Sequence, residues 1–135
     1  MKAPDTSATA AKCKWVAVID TDDGVRLGLH ALFAVHGFDV RTYPTAEAFL
    51  SKADTHSIGC IITEVQLAGM SGTDLQRQLR RVGCSAPVIV LATEPTVGTA
   101  VRAMRLGAID FLEKPFFQRV LLTRVRQALH HCRPS

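Results

Sequence analysis

Short, unbroken apolar runs alternate with apolar positions at helical spacing along almost the whole chain. Trp15, Val16, Ala17, Val18 and Ile19 form one run, rich in β-formers and ending in the acidic residues Asp20, Asp22 and Asp23. A run without polar alternation suits a strand covered on both faces, as in a parallel sheet. Val25, Leu29, Leu32, Phe33 and His36 then repeat at helical spacing. Asp22 or Asp23 is placed to cap that helix and Gly37 to close it.

The pattern repeats. Residues 38–43 read as a short strand, and Thr45 caps a helix carrying Ala46, Phe49 and Leu50. Residues 58–63 are the third buried strand, with Glu64 at its end. A glycine-containing loop over residues 67–72 leads to a helix bearing Leu75 and Leu79 that stops near Gly83. Pro87 opens the strand 88–92. Thr96 caps a helix bearing Val97, Ala100, Val101 and Met104, stopped by Gly107. Residues 109–113 make the last strand. Residues 117–131 make the last helix, with Val120, Leu121, Val125 and Leu129 inward and Phe116 and Phe117 anchoring its start. Five strands alternating with five helices predict an α/β fold: a doubly wound five-stranded parallel sheet, order 2-1-3-4-5, flanked by five helices.

Composition narrows the picture. A chain of 135 residues is the size of one domain and can bury a core without staples. Residues 1–12, rich in Ala, Thr and Ser, read as a flexible N-terminal tail ahead of a domain at 13–132; they lack a signal-peptide core, and no run is long enough to span a membrane. Cys13, Cys60, Cys84 and Cys132 are scattered and form no metal-ligand spacing, so they read as reduced thiols in a cytoplasmic protein, Cys60 in the core. The net charge of +4 is spread out. Its densest group, Arg77, Arg80 and Arg81, reads as a solvated helix face, and no basic stripe is interleaved with aromatics, which argues against direct nucleic-acid binding.

In such a sheet ligands bind beyond the carboxyl ends of the strands. The strands end in Asp20, Thr21 and Asp22; in Glu64; in Ala92 and Thr93; and in Lys114. Two acids and a lysine therefore converge on one rim, more than solvated strand ends require. A hydrolase or phosphatase built on Asp20 would need a second placed acid or base, and none is evident. The five histidines, His130 and His131 included, stand on helices or loops without a partnered nucleophile, and no enzymatic activity is expected.

The spacing of Asp20, Glu64 and Lys114, the sequence Lys114-Pro115-Phe116, and the segment from Ala103 through Gly107-Ala108-Ile109-Asp110-Phe111 to Glu113 resemble the receiver domains of bacterial two-component response regulators. The fold implied is CheY-like, and the resemblance is closest to receivers of the FixJ type, from Lys14 to about His131. It implies a phosphoryl group transferred from a histidine kinase to an aspartate ending the third strand. An acidic pair after the first strand holds Mg²⁺ with that aspartate, a Ser or Thr ending the fourth strand and a lysine after the fifth bind the phosphoryl oxygens, and an aromatic on the fifth strand changes rotamer.

Carried onto this chain the pattern is partial. Asp20 matches the first acid, Lys114 the lysine, Phe111 the aromatic, and Gln66 the position lending a carbonyl to the metal. Thr21 stands at the second acid, with Asp22 adjacent as a metal candidate or a helix cap. Glu64 occupies the phosphoacceptor position, Ala92 the switch position, and Ala68 a common loop proline. Glutamate moves the carboxylate by about a bond length where attack geometry must hold to roughly an ångström. Thr21 removes a ligand from an ion that demands near-octahedral oxygens, so Mg²⁺ binding is expected to be weak or lost. Ala92 has no hydroxyl, and Thr93 is expected to face away, unless the strand has already ended, because alternate strand residues point to opposite faces.

The reading that follows is an atypical receiver, acting without phosphorylation through protein–protein contact and needing no cofactor. Glu64, paired with Lys114, carries one charge against nearly two for a phosphorylated residue and is expected to hold a single conformation. The partner surface implied by the resemblance offers Arg102, Arg105, Phe111 and Arg119. The expected partner is a histidine kinase, another response regulator, an effector domain or a second copy, rather than a membrane or nucleic acid. The alternative is a phosphorylatable receiver of a FixJ-type transcriptional regulator whose DNA-binding domain is not in this chain; with no linker after His131, a stand-alone protein is expected as readily.

Overall fold

The computed structural model describes residues 15–131, without the side chain of His131, so the predicted tail and Cys13 and Cys132 lie outside the described residues. The elements run β1 (Val16–Ile19), α1 (Asp23–Val35), β2 (Val40–Tyr43), α2 (Ala46–Lys52), β3 (Cys60–Glu64), α3 (Gly72–Arg81), β4 (Val88–Ala92), α4 (Val97–Arg105), β5 (Asp110–Glu113) and α5 (Gln118–His131). All strand pairs are parallel, in the order β2-β1-β3-β4-β5. The predicted fold class and strand order hold.

The helices begin where a side-chain oxygen can accept an orphan backbone N–H. Asp22 caps α1 by accepting from Val25 N, Thr45 caps α2, Ser71 caps α3, and Thr96 with Thr99 forms a reciprocal capping box on α4. Gly37 follows α1 with φ +85°, a left-handed conformation that side chains disfavour.

Strand alternation divides the core in two. Ala17, Ile19, Ile61, Val88 and Val90 pack beneath α2, α3 and α4 with Phe49, Leu75, Leu79 and Ala103. Val16, Val18, Cys60, Ile62, Ile89 and Leu91 pack beneath α1 and α5 with Leu29, Phe33, Leu121 and Val125. Each fully buried Leu, Ile or Phe contributes about 1.5–3 kcal/mol, so both faces hold the sheet.

Several boundaries differ from the sequence reading. Phe38 lies ahead of β2, with its ring edge-on to Phe33 at 6.0 Å between centroids, and Ile58 is buried ahead of β3. The apolar positions read along α4 do not face the sheet: Val97, Val101 and Met104 are exposed, while Ala103 is buried. A small residue at the contact lets α4 sit close to the sheet and turns its larger side chains outward. Phe116 packs against the α1–α5 cluster, whereas Phe117 is 72% exposed and does not anchor α5. The inward face of α5 also includes Leu122 and Ala128, and Val120 and Leu129 are only half-buried.

Candidate functional site

Register decides which side chains meet at the rim. Ile19 pairs with Thr63, Glu64 with Leu91, and Leu91 with Leu112. Residues paired across a parallel sheet share a face. Asp20, Glu64, Thr93 and Lys114 therefore continue the face that carries α1 and α5, while Ala92 and Phe111 belong to the other face. The Ala92 methyl is buried in the α2–α4 core, and half-buried Phe111 packs against the same cluster. The exception allowed for Thr93 is the case that holds: its hydroxyl donates to Glu64 Oε1 at 3.0 Å. β4 ends at Ala92, so Thr93 is free to lean into the site.

Lys114 Nζ lies 2.6 Å from Asp20 Oδ2 and 2.7 Å from Glu64 Oε1. Both acids are nearly inaccessible, at 1% and 3% exposure. Their remaining oxygens are also occupied: Asp20 Oδ1 accepts from Asp22 N at 2.9 Å, and Glu64 Oε2 accepts from Gln66 N at 3.2 Å. The Lys114 backbone N–H donates to Ala92 O at 2.8 Å, tying the end of β4 to the lysine. Burial lowers the Lys114 pKa, but hydrogen bonds and charge interactions with Asp20 and Glu64 more than reverse this, and the net shift is upward.

The neighbouring loops are drawn in by polar contacts and one close approach. The Thr21 hydroxyl accepts from Ala68 N at 3.2 Å, bridging the β1–α1 and β3–α3 loops. Arg26 donates to the carbonyls of Asp20 and Thr21, at 2.6 and 3.0 Å, and pairs with the Asp23 carboxylate. Gly72 N donates to Val65 O, and a Cβ on Gly72 would stand 2.3 Å from Glu64 O. Sequence reasoning missed Arg26 and Gly72. Arg26 lies one turn from a cap, a position that gives no sequence signal for carbonyl binding, and the requirement at Gly72 exists only through the returning loop.

An ammonium already stands between the two buried carboxylates, Asp22 is exposed and serves as the α1 cap, and Thr21 brings no charge. Among the described residues no three His, Cys, Asp or Glu side chains come together at ligating distance. Gln66 is exposed and reaches the site through its N–H.

Away from the rim, Arg102, Arg105 and Arg119 are exposed, and the Arg119 guanidinium lies 5.7 Å from the Phe117 ring centroid. Arg77 pairs with Asp74, and Arg80 and Arg81 are exposed. His36 ends α1 and its Nδ1 meets Arg126 at 3.2 Å. No described helix is long and apolar enough to cross a membrane.

Comparison with known proteins agrees with this architecture. Residues 16–126 match the response regulator receiver domain family. The transcriptional regulatory protein FixJ of Azorhizobium caulinodans is 42% identical over 114 residues, covering 84% of this chain and 54% of that protein. The response regulator protein TodT of Pseudomonas putida is 35% identical over 114 residues, covering 84% and 50%. The crystal structure of FixJ-N superposes with a TM-score of 0.79 at 34% identity, covering 87% of this chain and 94% of the other. The chain spans about half the length of the curated relatives it matches. With the fold, the rim and these matches in agreement, the chain belongs to the response regulator receiver domain family of two-component signalling, among its FixJ-like members.

Proposed function

We propose that this chain is an atypical receiver: a cytoplasmic interaction module of a two-component-type pathway that works without being phosphorylated. One observation carries the reading. The carboxylate at the position of the family's phosphoacceptor is a glutamate whose two oxygens already hold Lys114, Thr93 and the Gln66 N–H. A nucleophile needs a free oxygen aligned with the incoming phosphorus. Here the oxygen nearest the lysine is shared between a cation and a hydroxyl, and Thr21 stands in place of the second acid that would help bind Mg²⁺. The output is then read by a protein partner on the surface of α4, β5 and α5, where Arg102, Arg105, Val101 and Met104 of α4 and Arg119 of α5 are all exposed. Exposed arginines beside apolar side chains suit a protein partner.

The test is intact-mass spectrometry after incubation with Mg²⁺ and acetyl phosphate. The positive control is a triple variant, Thr21→Asp, Glu64→Asp and Ala92→Thr, which rebuilds the usual residue set. The wild type is expected to gain no phosphoryl mass while the control does. A phosphoryl adduct on the wild type would overturn the proposal.

A second reading is the receiver part of a transcriptional regulator. It is favoured by relatives named as transcriptional regulatory proteins of about twice the matched length. The length of the complete gene product decides it.

A further inference from the structure

We infer that Thr93 is the residue through which Glu64 fixes the start of α4, so that the exposed apolar face of that helix is held in place by the unmodified protein. The inference deepens the reading above and rests on it in taking unphosphorylated Glu64 as the resident state.

Three observations combine. First, Thr93 Oγ1 donates to Glu64 Oε1 at 3.0 Å, and Glu64 is 3% exposed and ends β3. A hydrogen bond to a buried carboxylate is charge-assisted and stronger than a neutral one. Second, only Glu94 and Pro95 separate Thr93 from Thr96, the N-cap of α4. Thr96 and Thr99 bond each other reciprocally, so residues 96–99 move as one turn. Whatever holds Thr93 therefore places the first turn of α4. Third, α4 is held a second time near its other end, where buried Gln76 of α3 donates through Nε2 to Ala103 O at 3.0 Å. Between the two attachments and just past the second runs the outward stripe of Val97, Val101 and Met104, at 82%, 42% and 47% exposure.

Few other bonds compete for this role at the β4–α4 loop. The adjacent side chain, Ala92, has no polar atom and is buried against the opposite face of the sheet. The backbone bond from Lys114 N to Ala92 O holds the last residue of β4 but reaches no further along the loop. Past Ala92, the Thr93 hydroxyl is the first attachment of the loop to the site. It meets the same Glu64 oxygen that pairs with Lys114. The charge at position 64 and the position of α4 are therefore linked by one side-chain bond, without any added group.

The experiment is amide hydrogen exchange by mass spectrometry on wild type, Thr93→Val, Thr93→Ser, Glu64→Ala and the double variant Thr93→Val/Glu64→Ala. Thr93→Val keeps the shape and removes the hydroxyl. It is expected to raise exchange in peptides over residues 94–104 about five-fold, the effect of losing one such bond, while peptides of β1 and α1 stay unchanged. Thr93→Ser is expected to stay near wild type. Glu64→Ala reads the bond from its other end and is expected to mobilise the same segment. The double variant is expected to exchange no faster than Glu64→Ala alone, because the one bond that Thr93→Val removes is already gone in that variant. Unchanged exchange in Thr93→Val and Glu64→Ala, or effects that add in the double variant, would overturn the inference. Each sample is also weighed after Mg²⁺ and acetyl phosphate. A phosphoryl adduct on the wild type would remove the phosphorylation-independent reading while leaving the Thr93 coupling to be judged by exchange alone.

Discussion

Lys114 and Glu64 form an ion pair of 2.7 Å in which the side chains retain only 15% and 4% of their exposure. The same ammonium reaches Asp20 at 2.6 Å. Two carboxylates and one cation leave the cluster with one net negative charge, and the lysine neutralises what would otherwise be two buried like charges side by side. Removing one partner of a buried pair is far more costly than the pair is stabilising, because the other is left desolvated and alone.

Lys114→Met should therefore destabilise the fold by about 3 kcal/mol. Adding Glu64→Gln to that variant should recover part of the loss by removing one stranded charge. Urea unfolding of the two variants checks this, and a single variant as stable as wild type would refute the assignment of Lys114 as the neutralising group.

Gly72→Ala should be far more damaging than a helix-terminal Gly→Ala usually is. The new methyl would stand 2.3 Å from Glu64 O and 3.0 Å from Val65 Cα, both backbone atoms. Relief requires moving the end of β3 or the start of α3, a cost of about 2 kcal/mol. A thermal melt of the variant reads it; an unchanged midpoint would mean the loop yields freely.

Gln76 gives the opposite sign. It is 2% exposed, and its Oε1 has no hydrogen-bond partner among the described residues. Its acceptor, Ala103 O, also receives Ala108 N–H at 3.1 Å, so losing the Gln76 amide does not orphan that carbonyl. Gln76→Met keeps the volume and removes the orphan, and should raise stability by about 1 kcal/mol. Its thermal midpoint should rise; a clear fall would show that the α3–α4 bond is worth more than the orphan oxygen costs.

Alkaline pH should loosen the protein. Burial lowers the pKa of Lys114, but its hydrogen bonds and charge interactions with Asp20 and Glu64 raise it by more. Tyr43 is raised by burial, with Arg41 lowering it and Asp39 raising it. For both groups the folded value lies above the unfolded one. The stabilisation is complete below the ordinary value and is lost as pH climbs through the folded value, above about pH 10. Urea midpoints compared between roughly pH 8 and pH 11 should fall. The fall should be shallower in Lys114→Met, which retains only the Tyr43 contribution.

The local chemistry of the chain was legible without coordinates. The caps at Asp22, Thr45 and Thr96 and the stop after Gly37 are short-range effects, written in adjacent residues. The apolar runs ending in Asp20, Glu64 and Lys114 placed these three on one rim, because parallel strands of a doubly wound sheet all end at the same edge. The alternation rule holds at Thr93 but does not by itself say which face that residue takes. Alternation says only that neighbours point apart, and it was counted from Ala92. Which of the two shares a face with Glu64 depends on the pairing of Glu64 with Leu91, a relation between strands. The exposed side of α4 was hidden in the same way, since a stripe of Val97, Val101 and Met104 has the same periodicity whether it faces the sheet or solvent.

The sequence by itself determined the order of elements, the helix caps, the parallel sheet and the residue types at the rim, because these follow from periodicity, capping and backbone sterics over a few residues. Only the tertiary structure decided that Thr93 rather than Ala92 meets Glu64, that Lys114 stands between both acids, and that Gly72 admits no side chain. Those outcomes depend on register and on distances of a few ångströms between segments far apart in the chain, and no local pattern encodes them.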